Sequence, residues 1–192
     1  EICACLVGSE MCIRDRNDRE LEEMLAFAVS FDGPIAIRYP RGSAHQGLRE
    51  YQAPVEYGRS EINRKGKKIA VLGVGSMIPS CMEICKGLKD DGYDPTFVNA
   101  RFVKPLDVDL LDELAKDHSL FVTVEENVKS GGYGEHVSAY MEACHPEIRV
   151  LSAAVWDRFV PQGNVESLRS RIGLGVEDIR QAIEDSEELR EQ

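Results

Sequence analysis

Short apolar segments alternate with amphipathic segments over most of the chain after Lys68. Apolar strands are predicted at residues 69–74, 96–99, 120–125 and 149–155, with helices at about 76–91, 107–116 and after the glycine-rich residues 131–134. Strands that alternate with helices form parallel sheets with right-handed crossovers. The pattern therefore predicts an α/β fold with a mostly parallel sheet and helices on both faces, followed by two short helices that begin near Asn164 and Val176.

The helix predicted at residues 76–91 has the clearest buried stripe, and Gly92 ends it. We expect its buried side chains to be Ile78, Cys81, Met82, Cys85 and Leu88. The six cysteines of the chain include no C-x-x-C pair and no zinc-ligand spacing with histidine. Free, buried thiols are typical of cytoplasmic proteins, so the expected location is the cytoplasm.

A shorter helix–strand unit precedes this region. Asn17 followed by Glu20 has the form of a capping box, and Leu21, Met24, Leu25 and Ala28 follow at helical spacing. Residues 35–37 are then predicted to form a buried strand between turn residues and a proline. One helix and one strand cannot close a core alone, so this unit is predicted to be the end of a longer domain.

Two stretches show no sustained periodicity. Residues 1–16 resemble translated sequencing-adapter read-through, so we expect a foreign or disordered segment that packs poorly. Residues 43–67 are polar and contain glycines and prolines, which predicts a linker with one short strand at 57–63. The basic cluster at residues 64–68 is predicted to be a hairpin turn into the next strand.

Arg38 and Arg41 follow the strand predicted at residues 35–37. Two guanidinium groups at the end of a buried strand can bind a phosphate or carboxylate bidentately without losing their charge. The alternative is that one of them pairs with an acidic neighbour, because the chain has a net charge of −11. Residue type alone favours this alternative. The same acidic balance argues against a nucleic-acid partner, and without 18 consecutive apolar residues no membrane span is expected.

Three further motifs have competing interpretations. The segment Gly73–Ser76 lacks the third glycine and the downstream acid of a dinucleotide site, so a tight turn explains it better. Glu125 and Glu126 could serve acid–base chemistry or a metal, but neighbouring residues on a strand point in opposite directions. Capping of the glycine-rich loop or contact with another subunit is the favoured role. The loop at residues 156–163 either forms an interface or packs over the end of the sheet.

Six segments, taken in order, resemble one family over about residues 17–183. They are Asp32-Gly33-Pro34, Arg38-Tyr39-Pro40-Arg41-Gly42, Arg101-Phe102-Val103-Lys104-Pro105-Leu106-Asp107, Thr123-Val124-Glu125-Glu126-Asn127, Gly131-Gly132-Tyr133-Gly134 and Phe159-Val160-Pro161-Gln162-Gly163. The series resembles the C-terminal third of the 1-deoxy-D-xylulose-5-phosphate synthases, a branch of the transketolase family. The residues of these segments match this branch better than they match the related pyruvate dehydrogenase-type beta subunits.

The resemblance implies a transferase that uses thiamine diphosphate and Mg²⁺ to join pyruvate to glyceraldehyde 3-phosphate with loss of carbon dioxide. The product is a precursor of isoprenoids, thiamine and pyridoxal phosphate. Residues 17–42 would be the end of a truncated α/β domain that contacts the pyrimidine of the cofactor. Residues 43–67 would be a linker and residues 68–192 a transketolase-like C-terminal domain that supports a homodimer.

The resemblance also implies which functional groups the chain carries. The residues that bind the cofactor and metal, and the catalytic residues, would lie in N-terminal domains outside this sequence, so the fragment would be inactive alone. Arg41, and less directly Arg38, would bind the phosphate of the substrate. Three alternatives stay open: a stand-alone dimerisation or scaffold module, a fragment of a pyruvate dehydrogenase-type beta subunit, and, with a different fold, a small-molecule sensor domain.

Overall fold

The computed structural model describes residues 11–40 and 45–186. Eight strands and six α-helices occur in these ranges. The strands are β1 (Met11–Arg14), β2 (Ile35–Arg38), β3 (Glu61–Arg64), β4 (Lys68–Gly73), β5 (Thr96–Asn99), β6 (Phe102–Lys104), β7 (His118–Val128) and β8 (Arg149–Val155). The helices are α1 (Asp18–Ser30), α2 (Ile78–Asp90), α3 (Val108–Ala115), α4 (Tyr133–Cys144), α5 (Val165–Arg171) and α6 (Val176–Glu184), and a 3₁₀ turn (Gly75–Met77) precedes α2.

The larger sheet has five strands in the order β3-β5-β4-β7-β8. Strands β5, β4, β7 and β8 are parallel, and only β3 runs antiparallel to its neighbour. One apolar cluster packs α2 and α6 against one face of this sheet, while a second packs α3 and α4 against the other face. The predicted α/β class, with a mostly parallel sheet covered on both faces, is confirmed.

Helix α2 differs in one position from its predicted stripe. Ile84 is fully buried, whereas Met82 is 38% exposed, so the expectation for Met82 is wrong. Ile84 lies three residues after Cys81 and four before Leu88, which places it on the same helix face. Met82 follows Cys81 directly, so the turn of the helix rotates its side chain away from the sheet and toward solvent. The helix ends as expected before Gly92, which has a φ of 94°.

The smaller sheet corrects the expectation for the N-terminal segment. Strand β1 is its central strand, parallel to β2 and antiparallel to β6. Met11 and Ile13 are fully buried in a cluster with Met24 and Phe102. The prediction that this segment packs poorly is therefore wrong for residues 11–16. Two apolar side chains at alternate positions are enough to bury one face of a central strand. Four residues are too few for this alternation to be recognised in the sequence, and residues 1–10 lie outside the described ranges.

Helix α1 and strand β2 are also less buried than expected. The Asn17 side chain caps α1 as predicted, accepting a hydrogen bond from the Glu20 N–H at 2.9 Å. The buried residues of the helix are Glu20 and Met24, whereas Leu25 is exposed. Strand β2 is half-buried along its length, so the prediction of a buried strand is wrong. The reason is that, among the strands of the described residues, β2 has a neighbour on one side only.

The segment predicted as a linker contributes β3 to the larger sheet. A short strand was expected near these residues, and β3 pairs with β5. The hairpin turn predicted at residues 64–68 is wrong, since β5 lies between β3 and β4. Strand β6 was not predicted because it has only three residues. Within the described ranges, no helix combines the length and hydropathy that crossing a bilayer requires.

Candidate functional site

The arginine-containing segment lies at an edge strand. Arg38 is the last residue of β2, and its register partner on the parallel strand β1 is Arg14. Both side chains are half-buried and leave the sheet at the same level and on the same side. Arg41 belongs to residues 41–44, which lie outside the described residues. The structure therefore brings Arg38 beside Arg14, which belongs to the segment expected from the sequence to pack poorly.

The end of β1, where Arg14 lies, packs against the turn that follows β4. Gly75 has a φ of 57° there, and a Cβ on this glycine would stand 3.2 Å from the Cβ of Arg14. The preceding glycine, Gly73, faces Ile78 and Cys81 of α2, whose atoms would lie 2.7 Å from an added Cβ. Close packing thus explains both glycines, in line with the turn favoured over a dinucleotide site.

Glu125 and Glu126, near the end of β7, have separate partners. Glu125 is buried and accepts hydrogen bonds from the N–H groups of Tyr133 and Gly134 at 3.0 and 2.8 Å. It thereby satisfies two donors in the first turn of α4 and favours its positive end. The prediction that one of the two carboxylates caps the glycine-rich loop is confirmed, and convergence of the pair on one reaction centre is not observed.

Glu126 points to the opposite side and holds α5 in place. It accepts hydrogen bonds from the Ser76 hydroxyl at 2.9 Å and from Arg169 at 2.8 Å. Burial alone would raise the pKa of Glu126, but the hydrogen bond and charge of Arg169 outweigh it and lower the pKa below its ordinary value. Glu126 is therefore ionised at neutral pH, and it fixes the helix that follows the aromatic loop to the end of β7.

A buried ion network joins the two sheets, and sequence analysis did not predict it. Arg101 donates from Nε to Glu20 at 2.8 Å and from Nη2 to Glu61 at 3.1 Å, and all three side chains are buried. Arg16 forms a second ion pair with Glu61. Asn99 donates to both carboxylate oxygens of Glu20, at 2.9 and 3.1 Å. Two arginines and two glutamates balance in charge, as burial requires.

The remaining donors of Arg101 are also occupied. Its Nη1 and Nη2 groups donate to the carbonyl oxygens of Pro54 and Ala53 at 2.9 and 2.8 Å. Arg101 itself has a φ of 52°, an unusual conformation for a residue with a side chain. Every donor group of its guanidinium thus has a protein acceptor. The network is a fixed joint between the sheets, and the only sequence signal for it was the presence of Arg101 in one of the six family-like segments.

The histidine and cysteine side chains of the described residues form no reactive cluster. His118 is buried between Thr96 and the Leu114 carbonyl, and burial lowers its pKa. Within residues 11–40 and 45–186, no group of three His, Cys, Asp or Glu side chains is arranged to hold a metal ion. Cys12, Cys81 and Cys85 are buried, whereas Cys144 near the end of α4 is exposed.

The family model of the transketolase C-terminal domain matches residues 58–179, which include the whole five-stranded sheet. The chain belongs to the transketolase C-terminal domain family. Among curated relatives, the 1-deoxy-D-xylulose-5-phosphate synthase of Lachnoclostridium phytofermentans is 40% identical over 168 residues, 87% of this chain and 27% of the relative. That of Dictyoglomus thermophilum is 38% identical over 179 residues, 93% of this chain and 29% of the relative. The resemblance to these synthases is confirmed, and the chain spans less than a third of their length.

Two solved structures share the transketolase-like fold. A split-gene transketolase, described as an inactive beta4 tetramer, superposes with a TM-score of 0.84 at 25% identity and covers 96% of this chain and 59% of that one. The transketolase of Campylobacter jejuni superposes with a TM-score of 0.63 at 16% identity, over 92% of this chain and 26% of that one, and supports the fold alone. Both sheets of this chain therefore have counterparts in a transketolase structure.

Proposed function

We propose that this chain is the C-terminal part of a thiamine-diphosphate-dependent 1-deoxy-D-xylulose-5-phosphate synthase. Such an enzyme joins pyruvate to glyceraldehyde 3-phosphate, releases carbon dioxide and supplies isoprenoid, thiamine and pyridoxal phosphate synthesis in the cytoplasm. The observation that carries the proposal is the similarity to synthases of this name over 87–93% of the chain at 38–40% identity. The family match at residues 58–179 supports the same assignment.

The contribution of this chain to the reaction would be binding of the substrate phosphate. Arg41 would hold the phosphate of glyceraldehyde 3-phosphate, with Arg38 as a second positive charge. Support comes from Arg38, which stands at the end of β2 beside Arg14, so two positive charges lie close to the segment that carries Arg41. Arginine keeps its charge at any physiological pH and can donate two parallel hydrogen bonds to a phosphate.

The described residues do not fit the cofactor. When bound, thiamine diphosphate would supply the stabilised carbon nucleophile of the reaction, and Mg²⁺ would hold its diphosphate. The buried carboxylates Glu20, Glu61 and Glu125 are already occupied by arginines or backbone N–H groups. We therefore place the cofactor, its metal and the catalytic groups in N-terminal domains of a homodimeric enzyme, and we expect the chain to be inactive alone.

A stand-alone module that binds separately encoded catalytic domains is the second candidate. The observation that favours it is the split-gene transketolase, of which this chain covers 59%. In this case the N-terminal domains would be a separate polypeptide, and Arg41 would serve the same substrate in the assembled complex.

The test is a chimera in which residues 17–192 replace the matching C-terminal region of the Lachnoclostridium phytofermentans synthase. We expect the chimera to form deoxyxylulose phosphate from pyruvate and glyceraldehyde 3-phosphate. Arg41→Ala is expected to raise KM for glyceraldehyde 3-phosphate about tenfold to 100-fold, with little effect on KM for pyruvate, because one charge-assisted contact to phosphate is lost. Arg19→Ala, which removes a half-buried arginine of α1 that pairs with Glu23, is the matched control.

Two outcomes would contradict the proposal. A folded chimera without synthase activity would contradict the proposed synthase function, whereas equal effects of Arg41→Ala and Arg19→Ala would contradict the phosphate site alone. Calorimetric titration of the isolated chain with thiamine diphosphate and Mg²⁺ is expected to show no binding. Clear binding would show that the chain carries a cofactor site of its own.

A further inference from the structure

Arg101 lies at the point where the chain passes from the larger sheet to the smaller one. Strand β5 ends at Asn99 and β6 begins at Phe102, so the passage takes two residues. The φ of 52° at Arg101 is one that a residue with a side chain keeps only where its surroundings hold it. The side chain is 1% exposed, and each nitrogen of its guanidinium donates to a protein acceptor. Arg101 therefore has a fixed position relative to both sheets.

The backbone of Arg101 holds the central strand of the smaller sheet. Its carbonyl oxygen accepts a hydrogen bond from the N–H of Arg14, at the end of β1, at 2.9 Å. Arg14 is in turn the register partner of Arg38 on β2. The three arginines thus follow one another across the sheet, and a strand spacing of about 4.8 Å puts the backbones of Arg101 and Arg38 about 10 Å apart. Among the described strands β2 pairs with β1 alone, so the place of Arg38 depends on β1.

The side chain of Arg101 holds the helix that leads into β2. Its Nε donates to Glu20 in the first turn of α1 at 2.8 Å, and Asn99 donates to the same carboxylate at 2.9 and 3.1 Å. Only residues 31–34 separate the end of α1 from β2, so a displacement of the helix is passed on to the strand. Arg101 therefore holds both elements on which the position of Arg38 depends, β1 through its carbonyl group and α1 through its guanidinium.

We propose that Arg101 is a positioning residue for the segment at residues 38–41 that binds the substrate phosphate. The inference rests on the phosphate site proposed above and adds the residue that sets where this site lies relative to the five-stranded sheet. Arg101 does not bind the phosphate itself, because its guanidinium nitrogens are occupied by protein acceptors. An arginine binds phosphate through two parallel hydrogen bonds, and this geometry is lost by small displacements, so a shift of β2 weakens phosphate binding.

The test uses the chimera described above with two acceptors, glyceraldehyde 3-phosphate and glyceraldehyde, which lacks the phosphate. In the chimera β1 belongs to the host synthase, but a backbone N–H can bind the Arg101 carbonyl whatever its side chain. Arg101→Lys keeps the charge and loses the fork of donors, so Glu20 and the carbonyl acceptors are no longer all bound. We expect kcat/KM for glyceraldehyde 3-phosphate to fall about fivefold to 50-fold. The kcat/KM for glyceraldehyde and the KM for pyruvate should change less than about twofold, because neither involves the phosphate.

Two further variants separate positioning from general loss of packing. In an Arg41→Ala background, Arg101→Lys should have little additional effect on glyceraldehyde 3-phosphate, because the contact that it positions is already lost. Asn99→Ala removes the amide that binds Glu20 and leaves every charge in place. It should act in the same direction by about threefold, and it replaces Arg101→Lys if that variant does not fold. Arg180→Lys, the same substitution in the ion pairs between α2 and α6, is the matched control, and circular dichroism verifies folding.

The outcomes distinguish this inference from the proposed function. An inactive wild-type chimera would overturn the synthase function, and an Arg41→Ala variant that keeps its preference for the phosphorylated acceptor would overturn the phosphate site. The positioning role falls with either. If both hold, equal losses with the two acceptors in Arg101→Lys, or an additive loss in the double variant, would overturn the positioning role alone. Failure of both Arg101→Lys and Asn99→Ala to fold would also overturn it, because the contacts of Arg101 would then serve stability only.

Discussion

The guanidinium of Arg101 donates to the carboxylate of Glu20 across 2.8 Å, and each side chain is only 1% exposed. Glu20 belongs to the first turn of α1, and Arg101 lies between β5 and β6. The pair therefore connects residues 81 positions apart in sequence and joins the smaller sheet to the larger one. It lies in the network with Arg16, Glu61 and Asn99, in which two positive and two negative side chains are buried together.

Glu20→Gln is expected to lower the free energy of unfolding by about 3 kcal/mol, because it leaves the buried Arg101 and Arg16 with a single carboxylate between them. Urea denaturation at pH 7 measures the change. Glu23→Gln is the control, since Glu23 forms a half-buried ion pair with Arg19 at 3.0 Å on the same helix. That pair is worth at most about 0.5 kcal/mol. Equal losses in the two variants would contradict a stabilising role for the network.

Asp15 is expected to destabilise the protein as pH rises. Burial raises the pKa of Asp15 from 3.8 to about 6, and its Oδ1 atom has no hydrogen-bond partner within residues 11–40 and 45–186. The folded state therefore binds a proton more tightly than the unfolded state, so the favourable contribution is complete below pH 4 and is lost as pH rises through 6. Asp15→Asn is expected to be more stable than the wild type by about 2 kcal/mol at pH 7.5 and similar to it at pH 4.

Thermal or urea unfolding at pH 4, 5, 6 and 7.5 tests this prediction. Asp32→Asn, which removes an exposed carboxylate, is the matched control. A constant difference between Asp15→Asn and the wild type at every pH would show that Asp15 does not titrate in this range.

Glu125→Gln is expected to weaken the start of α4. The Glu125 carboxylate accepts hydrogen bonds from two backbone N–H groups, one with each oxygen. The glutamine side chain has a single oxygen, so it can accept only one of these bonds, and its NH₂ group would face the second N–H donor. The expected loss in the free energy of unfolding is about 1–3 kcal/mol. Hydrogen exchange at Tyr133 and Gly134 should accelerate in parallel. Glu142→Gln, on the exposed face of α4, should change neither quantity, and similar behaviour of the two variants would argue against capping by Glu125.

The cysteines are expected to differ in their reaction with a disulfide reagent. Burial raises the pKa of Cys85 to about 12 and that of Cys81 well above its ordinary value, so neither forms a reactive thiolate in the folded chain. Cys144 is exposed and should react first. In a variant with Cys3 and Cys5 replaced by serine, we expect one rapidly reacting thiol in native buffer and four in denaturant.

Replacement of Cys144 by serine in that background should abolish the rapid phase. Persistence of the rapid phase would mean that one of the helix α2 thiols, or Cys12, is accessible in solution. The measurement therefore tests the packing of α2 against the sheet as well as the reactivity of each thiol.

Local pattern predicted the parallel part of the larger sheet well. Each of its parallel strands has a run of apolar residues flanked by turn residues, and such runs need no distant partner to be recognised. Asn17 at the start of α1 and Gly92 after α2 were predicted for the same reason, since caps depend on neighbours in sequence. The family-like segments were likewise readable from the order of residues alone.

The errors concern features that depend on distant parts of the chain. Strand β1 has four residues and is buried only because β2 and β6 pair with its two sides. The partner of β3 is β5, which is separated from it by β4 and α2 in sequence. Strand pairing of this kind is a tertiary choice, and no local period reports it.

The sequence by itself determined the α/β class, the helix caps and the family, because these depend on residues within a few positions or on their fixed order. Only the tertiary structure decided that Arg101 pairs with Glu20, that Arg38 stands beside Arg14, and that Glu125 and Glu126 serve different helices. A charged residue has the same identity on the surface and in the interior. Its role is fixed by which opposite charge or N–H group the fold brings within about 3 Å.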